Sequence, residues 1–151
     1  PGVAAAVQTQ SIIDGLCAAG ELAAKDGFTI LVEPLNVLVD HAGYFLSRSD
    51  AAAEIIEKVD MPHVKMLFDI YHQQITEGNL IANIGKYLPL IGHFHFADVP
   101  GRHQPGTGEI NYHNIFAFID KSGYDGYAGM EFFPSGDPMD AIAVFRRNFM
   151  G

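Results

Sequence analysis

The chain has 151 residues, 48% of them hydrophobic and 18% charged, with 18 acids against 9 Lys plus Arg and a net charge of −9. These figures fit one soluble globular domain and argue against sequence-independent nucleic-acid binding, because a phosphate backbone must be met by clustered Lys and Arg. No stretch approaches the ~20 uninterrupted apolar residues of a membrane span, and the lone Cys17, which cannot form an internal disulfide, fits a reducing, cytoplasmic compartment.

From about Val3 to Lys25, Val7, Ile12, Ile13, Leu16 and Ala19 recur at helical spacing and Gly27 follows as a stop, which predicts a first helix. The apolar run Thr29 to Leu35 reads as a strand buried on both faces. Ser49 then precedes a helix over Asp50 to Val59, and Val64 to Ile70 is a second strand. Thr76 or Asn79 opens a helix over Ile81 to Leu88, and Ile91 to Ala97 is a third strand. Asn111 opens a helix over Tyr112 to Lys121, with Gly123 just past its end, and Tyr127 to Phe133 is a fourth strand. Asp137 followed by Pro138 gives the last helix an N-cap and a proline at its first position.

The expected order is one helix and then four strand–helix pairs, four strands and five helices in all. Buried strands alternating with helices imply a parallel sheet with right-handed crossovers. That pattern fits either an open doubly wound sheet or part of a closed barrel. The glycine-rich phosphate loop that would announce the first is missing, since the opening strand runs into Glu33, Pro34, Leu35 and Asn36. No low-complexity linker divides residues 1–151, so they read as one domain.

Each predicted strand ends in a polar residue that a buried β segment should avoid: Glu33 in ILVEPLN, Asp69 in MLFDIYH, His95 in GHFHFAD and Glu131 in GMEFFP. In a parallel α/β sheet the carboxyl ends of the strands form the ligand-binding face. Strand parity puts Leu31 with Glu33, Leu67 with Asp69, His93 with His95 and Gly129 with Glu131, and turns Val32, Phe68, Phe94 and Met130 toward the helices. One such residue is ordinarily a solvated edge or a helix cap; four in register are not. Three carboxylates and an imidazole converging in a water-excluded mouth repel unless a cation is present. A divalent metal held by Glu33, Asp69, His95 and Glu131 answers this, the oxygen-rich set suiting Mn²⁺ or Mg²⁺ and the single nitrogen admitting Co²⁺ or Zn²⁺. His93, two residues earlier on the same strand, is the competing imidazole and reads as structural.

The segments LVEPLN, FDIYHQQ, HFHFADVPGRHQPGTGEINY and YDGYAGMEFFPSGD resemble the carboxyl-terminal half of the xylose isomerase-like barrel enzymes, most closely the hydroxypyruvate isomerases and their ketose 3-epimerase relatives. The resemblance covers nearly the whole chain. It implies half of a TIM (β/α)₈ barrel, a divalent metal on the four strand-end residues, and Glu33 and Glu131 as the acid/base pair as well. It also implies that His72 and Arg102 contact substrate oxygens; without it they read as a surface histidine and a loop arginine.

The expected activity is isomerisation of a small hydroxy-carbonyl compound through an enediolate. The alternatives are ketose 3-epimerisation, a non-catalytic metal-binding half-barrel and, more weakly, a metal-dependent endonuclease. Hydroxypyruvate isomerases generally place Gln where His95 stands and epimerases use His, which divides the two branches. A complete barrel of this kind takes about 250 residues, so the half implies a homodimer or higher homo-oligomer that covers the open sheet edges.

Overall fold

The computed structural model describes residues 2–149. Four strands, β1 (Ile30–Val32), β2 (Val64–Asp69), β3 (Ile91–Phe96) and β4 (Tyr127–Met130), form one parallel sheet in the order β1-β2-β3-β4. Every crossover therefore steps the same way along the sheet, and right-handed connections then put the crossover helices on one face. A doubly wound sheet would carry helices on both faces. The one-sided arrangement is the wall of a β/α barrel, which decides what periodicity left open.

The helices are α1 (Ala5–Asp26), α2 (Ser49–Val59), α3 (Ile70–Thr76), α4 (Leu80–Tyr87) continued by a 3₁₀ turn (Leu88–Leu90), α5 (Tyr112–Lys121) and α6 (Pro138–Phe149). Gly27, at φ 72°, ends α1 in the left-handed conformation. In α2 the apolar residues Ala52, Ile55, Ile56 and Val59 follow helical spacing and are all buried. The Asn111 side chain accepts the Asn114 N–H at the start of α5, and Asp137 accepts those of Met139 and Asp140 at the start of α6.

Among the described residues the expectation of five helices falls short by one, α3. Asp69 ends β2 and is also the N-cap of α3, its carboxylate accepting the His72 N–H at 3.0 Å, so the helix begins with no intervening loop. Seven residues directly after a buried strand give too little periodicity to register. Ser49 is a second correction. It is the first residue of α2, not its cap, and its hydroxyl donates to the Glu77 carboxylate from the end of α3. The outer strands are also shorter than expected: β1 stops before Pro34, which has no N–H for the ladder, and β4 stops at Met130.

The outer face of the sheet carries Met66, Phe68 and Phe94, all fully buried, with Phe68 and Phe94 in edge contact at 6.1 Å. Burying each such side chain is worth about 1.5–3 kcal/mol. The inner face differs: Leu31 is 37% and Tyr127 81% exposed. A bulge lies in β3, where Met66 pairs with Ile91 and Leu67 with His93, leaving Gly92 unpaired. A Cβ at Gly92 would stand 2.7 Å from Lys65 Cβ, so only glycine fits. This extra residue sends Ile91 to the core face and His93 and His95 to the inner one. No helix among the described residues is long and apolar enough to cross a membrane.

Candidate active site

The sheet brings the four polar strand-end residues together. Glu33 follows β1 by one residue, Asp69 ends β2, His95 is next to last in β3, and Glu131 follows β4 by one residue, tied by its N–H to the Phe96 carbonyl at 3.1 Å. Each offers one ligand atom, and these atoms all lie within 4.8 Å of one another. His95 Nδ1 is 4.0 Å from Asp69 Oδ2 and 3.5 Å from Glu131 Oε2. His93 packs its ring edge-on against His95 at 5.0 Å and contributes no atom to the group.

Glu33 Oε1, Asp69 Oδ2 and His95 Nδ1 are buried with no hydrogen-bond partner. An unsatisfied buried polar atom costs about 1–3 kcal/mol, and three of them converging on one point form a donor set for a cation. The electrostatics agree. Burial, then the charges of Asp69 and Glu131, push the Glu33 carboxyl up to about 7, with Arg102 pulling the other way. Burial likewise lifts Asp69 to about 6, against the His72 N–H and Arg102, which lower it. Glu33 and Asp69 therefore resist ionising together. The carboxylate oxygens of the cluster with one imidazole nitrogen make a donor set that could hold a divalent cation.

His72 is fully buried, which overturns its plain reading as a surface residue. Its Nε2 has no partner and lies 4.0 Å from Glu33 Oε1. Burial first, then Arg102 and His41, push the ring down to about 4, so His72 is neutral near pH 7 and the contact with Glu33 is not an ion pair. The Arg102 guanidinium donates to Glu131 Oε2 at 2.5 Å and lies over the Tyr71 ring at 5.1 Å. Arg102 sits at φ 56°, a left-handed conformation uncommon outside glycine. The loop that imposes it is gathered by buried Asp98, which accepts the N–H groups of Val99, Gly106 and Ile110. Gly108 lies so close to the Val99 carbonyl that a Cβ there would collide.

Sequence reasoning missed the residues behind His72. Asn36, buried, accepts the N–H groups of Val39 and Asp40 on Oδ1 and donates from Nδ2 to Asp40 Oδ2 at 2.7 Å and to His72 Nδ1 at 2.7 Å. The Tyr71 hydroxyl donates to the same Asp40 oxygen at 2.8 Å. Against the upward pull of burial, these hydrogen bonds from Asn36 and Tyr71 hold Asp40 below its ordinary value. Tyr71 thus serves twice, its ring beneath Arg102 and its hydroxyl as a donor to Asp40. The available signal was a short amide side chain at Asn36, which can accept the backbone N–H groups three and four residues on.

The chain is 41% identical over 122 residues to a 2-oxo-tetronate isomerase of Cupriavidus necator, an alignment covering 81% of the chain and 46% of the relative. It is 36% identical over 124 residues to the hydroxypyruvate isomerase of Escherichia coli, covering 82% of the chain and 48% of that protein. Among solved structures, the fold matches an AP endonuclease, family 2, of Brucella melitensis with a TM-score of 0.92 at 33% identity, over 98% of this chain and 57% of that one. A 3-keto-D-glucoside 4-epimerase of Escherichia coli gives 0.86 at 30% identity, over 97% and 56%. The chain spans about half the length of the curated relatives it matches. The family model described as xylose isomerase-like TIM barrel matches residues 1–148, and with these strand ends and this one-sided sheet the chain belongs to that family.

Proposed function

We propose that the chain carries the metal-binding and acid/base wall of an isomerase that interconverts a small hydroxy-aldehyde and hydroxy-ketone. The observation that carries the reading is the convergence of Glu33, Asp69, His95 and Glu131, three of their polar atoms buried and unpartnered. A divalent cation held by these four would supply Lewis acidity to the substrate's carbonyl oxygen. Glu33 and Glu131, on opposite outer strands, bracket the space between them. One removes the proton from the hydroxyl-bearing carbon, the other delivers a proton to the neighbouring carbon, and the hydroxyl proton passes to the former carbonyl oxygen. His72 and Arg102 donate hydrogen bonds to the substrate's oxygens and hold the reacting carbons between the carboxylates. The isomerase names of two relatives support this class of reaction.

His95 favours a second reading, epimerisation next to a carbonyl, in which the two carboxylates serve opposite faces of one carbon. The nuclease name of one structural neighbour is the weaker guide, because nine cations against 18 acids, a net charge of −9, oppose binding to a phosphate backbone. We place the protein in a reducing, cytoplasmic compartment, in keeping with its lone Cys17. The open edges at β1 and β4 are covered in our reading by further barrel strands, from a second copy of the chain or from a separate half.

The test is turnover by the Mn²⁺-loaded chain, followed by proton NMR in deuterated water with hydroxypyruvate and with a ketohexose. Conversion of hydroxypyruvate to its aldehyde isomer supports the first reading, and formation of a 3-epimer the second. Neither conversion nor solvent exchange in either substrate removes catalysis and leaves a metal-binding half-barrel.

A further inference from the structure

The amide orientation of Asn36 is settled by its four partners. Its oxygen accepts the N–H groups of Val39 at 3.0 Å and Asp40 at 3.2 Å, so the atom facing Asp40 Oδ2 and His72 Nδ1 is nitrogen. Both amide hydrogens are thereby committed, one to a carboxylate oxygen and one to the imidazole. The Asn36 backbone N–H also points at His72 Nδ1, at 3.4 Å. A ring nitrogen that accepts from this side cannot itself carry a proton, and a neutral imidazole then holds its proton on Nε2. That Nε2 is the atom left without a partner, buried beside Glu33 Oε1.

We propose that Asn36 is a positioning residue that fixes His72 as the Nε2–H tautomer, so that the ring presents a permanent N–H donor to an oxygen bound beside Glu33. The ligand chemistry that suits such a donor is a carbonyl or hydroxyl oxygen. This rests on the reading of the site as one for hydroxy-carbonyl compounds. The Asn36–Asp40–Tyr71 chain acts behind the ring: Tyr71 and Asn36 share one Asp40 oxygen, and the Asp40 carboxylate holds the amide in the orientation that points its second hydrogen at the ring. A free histidine in the same place would divide its population between tautomers and offer the donor part of the time.

The test exchanges the two partners. The double variant Asn36→Asp with Asp40→Asn keeps the bond between positions 36 and 40, keeps an oxygen for the Val39 and Asp40 N–H groups, and leaves the net charge unchanged. It turns the atom facing His72 Nδ1 from donor to acceptor. Two-bond proton–nitrogen spectra of protein labelled at histidine nitrogen read the tautomer directly, because Nε2 lies two bonds from both carbon-bound ring protons and Nδ1 from only one. The expected result is an Nε2–H ring for His72 in the native protein and an Nδ1–H ring in the double variant, whether or not either protein turns over substrate. In a protein active on hydroxypyruvate, the exchange should also lower kcat about tenfold, the worth of one hydrogen bond. An Nδ1–H ring in the native protein overturns the proposal, and that spectrum suffices should the double variant fail to fold. An Nε2–H ring in both proteins overturns it as well. Loss of all turnover with the tautomers as expected counts against the isomerase reading alone.

Discussion

Asp69 and His72 face each other across the first turn of α3, and the contact divides the Asp69 carboxylate into two jobs. Oδ1 accepts the His72 N–H at 3.0 Å and caps the helix, while Oδ2, buried without a partner, joins the cluster of strand-end ligands. The two roles can be separated. Asp69→Asn keeps a good N-cap and removes the charge at the cluster. It is expected to raise the melting temperature of the metal-free protein at about pH 8, where the buried carboxylate would otherwise be ionised, and to weaken Mn²⁺ binding on the order of a hundredfold. Asp69→Ala should in addition lose the cap, about 1 kcal/mol. Equilibrium dialysis and elemental analysis check this, and equal metal content in native and Asp69→Asn protein would remove Asp69 from the ligand set.

The raised carboxyls set a pH dependence with a definite sign. Glu33 stands at about 7 and Asp69 at about 6 in the folded protein, against ordinary values of 4.5 and 3.8. The folded state therefore holds more protons than the unfolded one across that window, and the metal-free protein loses stability as pH rises through it. A cation must displace the same protons, so its affinity rises with pH. Thermal melts in chelator at about pH 5 and about pH 8 should show a drop for the native protein and a smaller one for Glu33→Gln. Equal drops in the two proteins would show that burial does not perturb Glu33.

If Glu33 and Glu131 exchange protons with the substrate, Glu33→Gln and Glu131→Gln should each slow deuterium uptake at the substrate's reacting carbon by roughly 10²- to 10⁴-fold. Metal content has to be matched between the proteins, since both residues also belong to the cluster. Unchanged uptake in both variants at full metal occupancy excludes the pair as acid and base.

Much of this arrangement was legible in the sequence, for a physical reason. A strand buried on both faces tolerates almost no charge, so Glu33, Asp69, His95 and Glu131 stand out as interruptions at its carboxyl end, and parity puts them on one face. The direction in which successive strands add to the sheet was not legible, because it depends on where each crossover docks. Ser49 looks like a cap until Glu77, 28 residues later, takes its hydroxyl. The Asn36 contact with His72 spans 36 residues and the Tyr71 contact with Asp40 spans 31, so no local pattern records them. Asp69 hid a helix for the opposite reason: one residue served strand, cap and cluster at once.

Asp98 supports the site from outside it. Oδ1 accepts the N–H groups of Val99 and Ile110, and Oδ2 that of Gly106, which together hold the loop that carries Arg102. Asp98→Ala leaves three N–H groups without their acceptor and should cost about 2–3 kcal/mol. Asp98→Asn keeps the Oδ1 contacts and should cost less. Urea unfolding gives the order of the three proteins. In an active preparation the Ala variant should also raise KM, because Arg102 is no longer held over Tyr71. A native-like KM would mean that the loop keeps Arg102 in place without Asp98.

The last expectation concerns the two faces of the sheet. The outer face is closed by helices, but β1 and β4 each pair on one side only, and the inner face shows Leu31 at 37% and Tyr127 at 81% exposure. Unpaired edges and exposed apolar side chains of this kind drive association. The 151-residue chain on its own should therefore sediment as more than 16.4 kDa, the simplest species being a two-fold dimer that closes an eight-stranded barrel. Such an axis would bring both copies of Glu33, Asp69 and Glu131 into one mouth, six carboxylates in all, and their repulsion makes closure depend on bound cations or on protons. Chelation above about pH 7 should then loosen the dimer more than chelation near pH 5. Sedimentation at low protein concentration, with and without Mn²⁺, measures this. A compact monomer that binds no hydrophobic dye would show that the sheet needs no further strands, and an association insensitive to metal and pH would place the contact somewhere other than the barrel mouth.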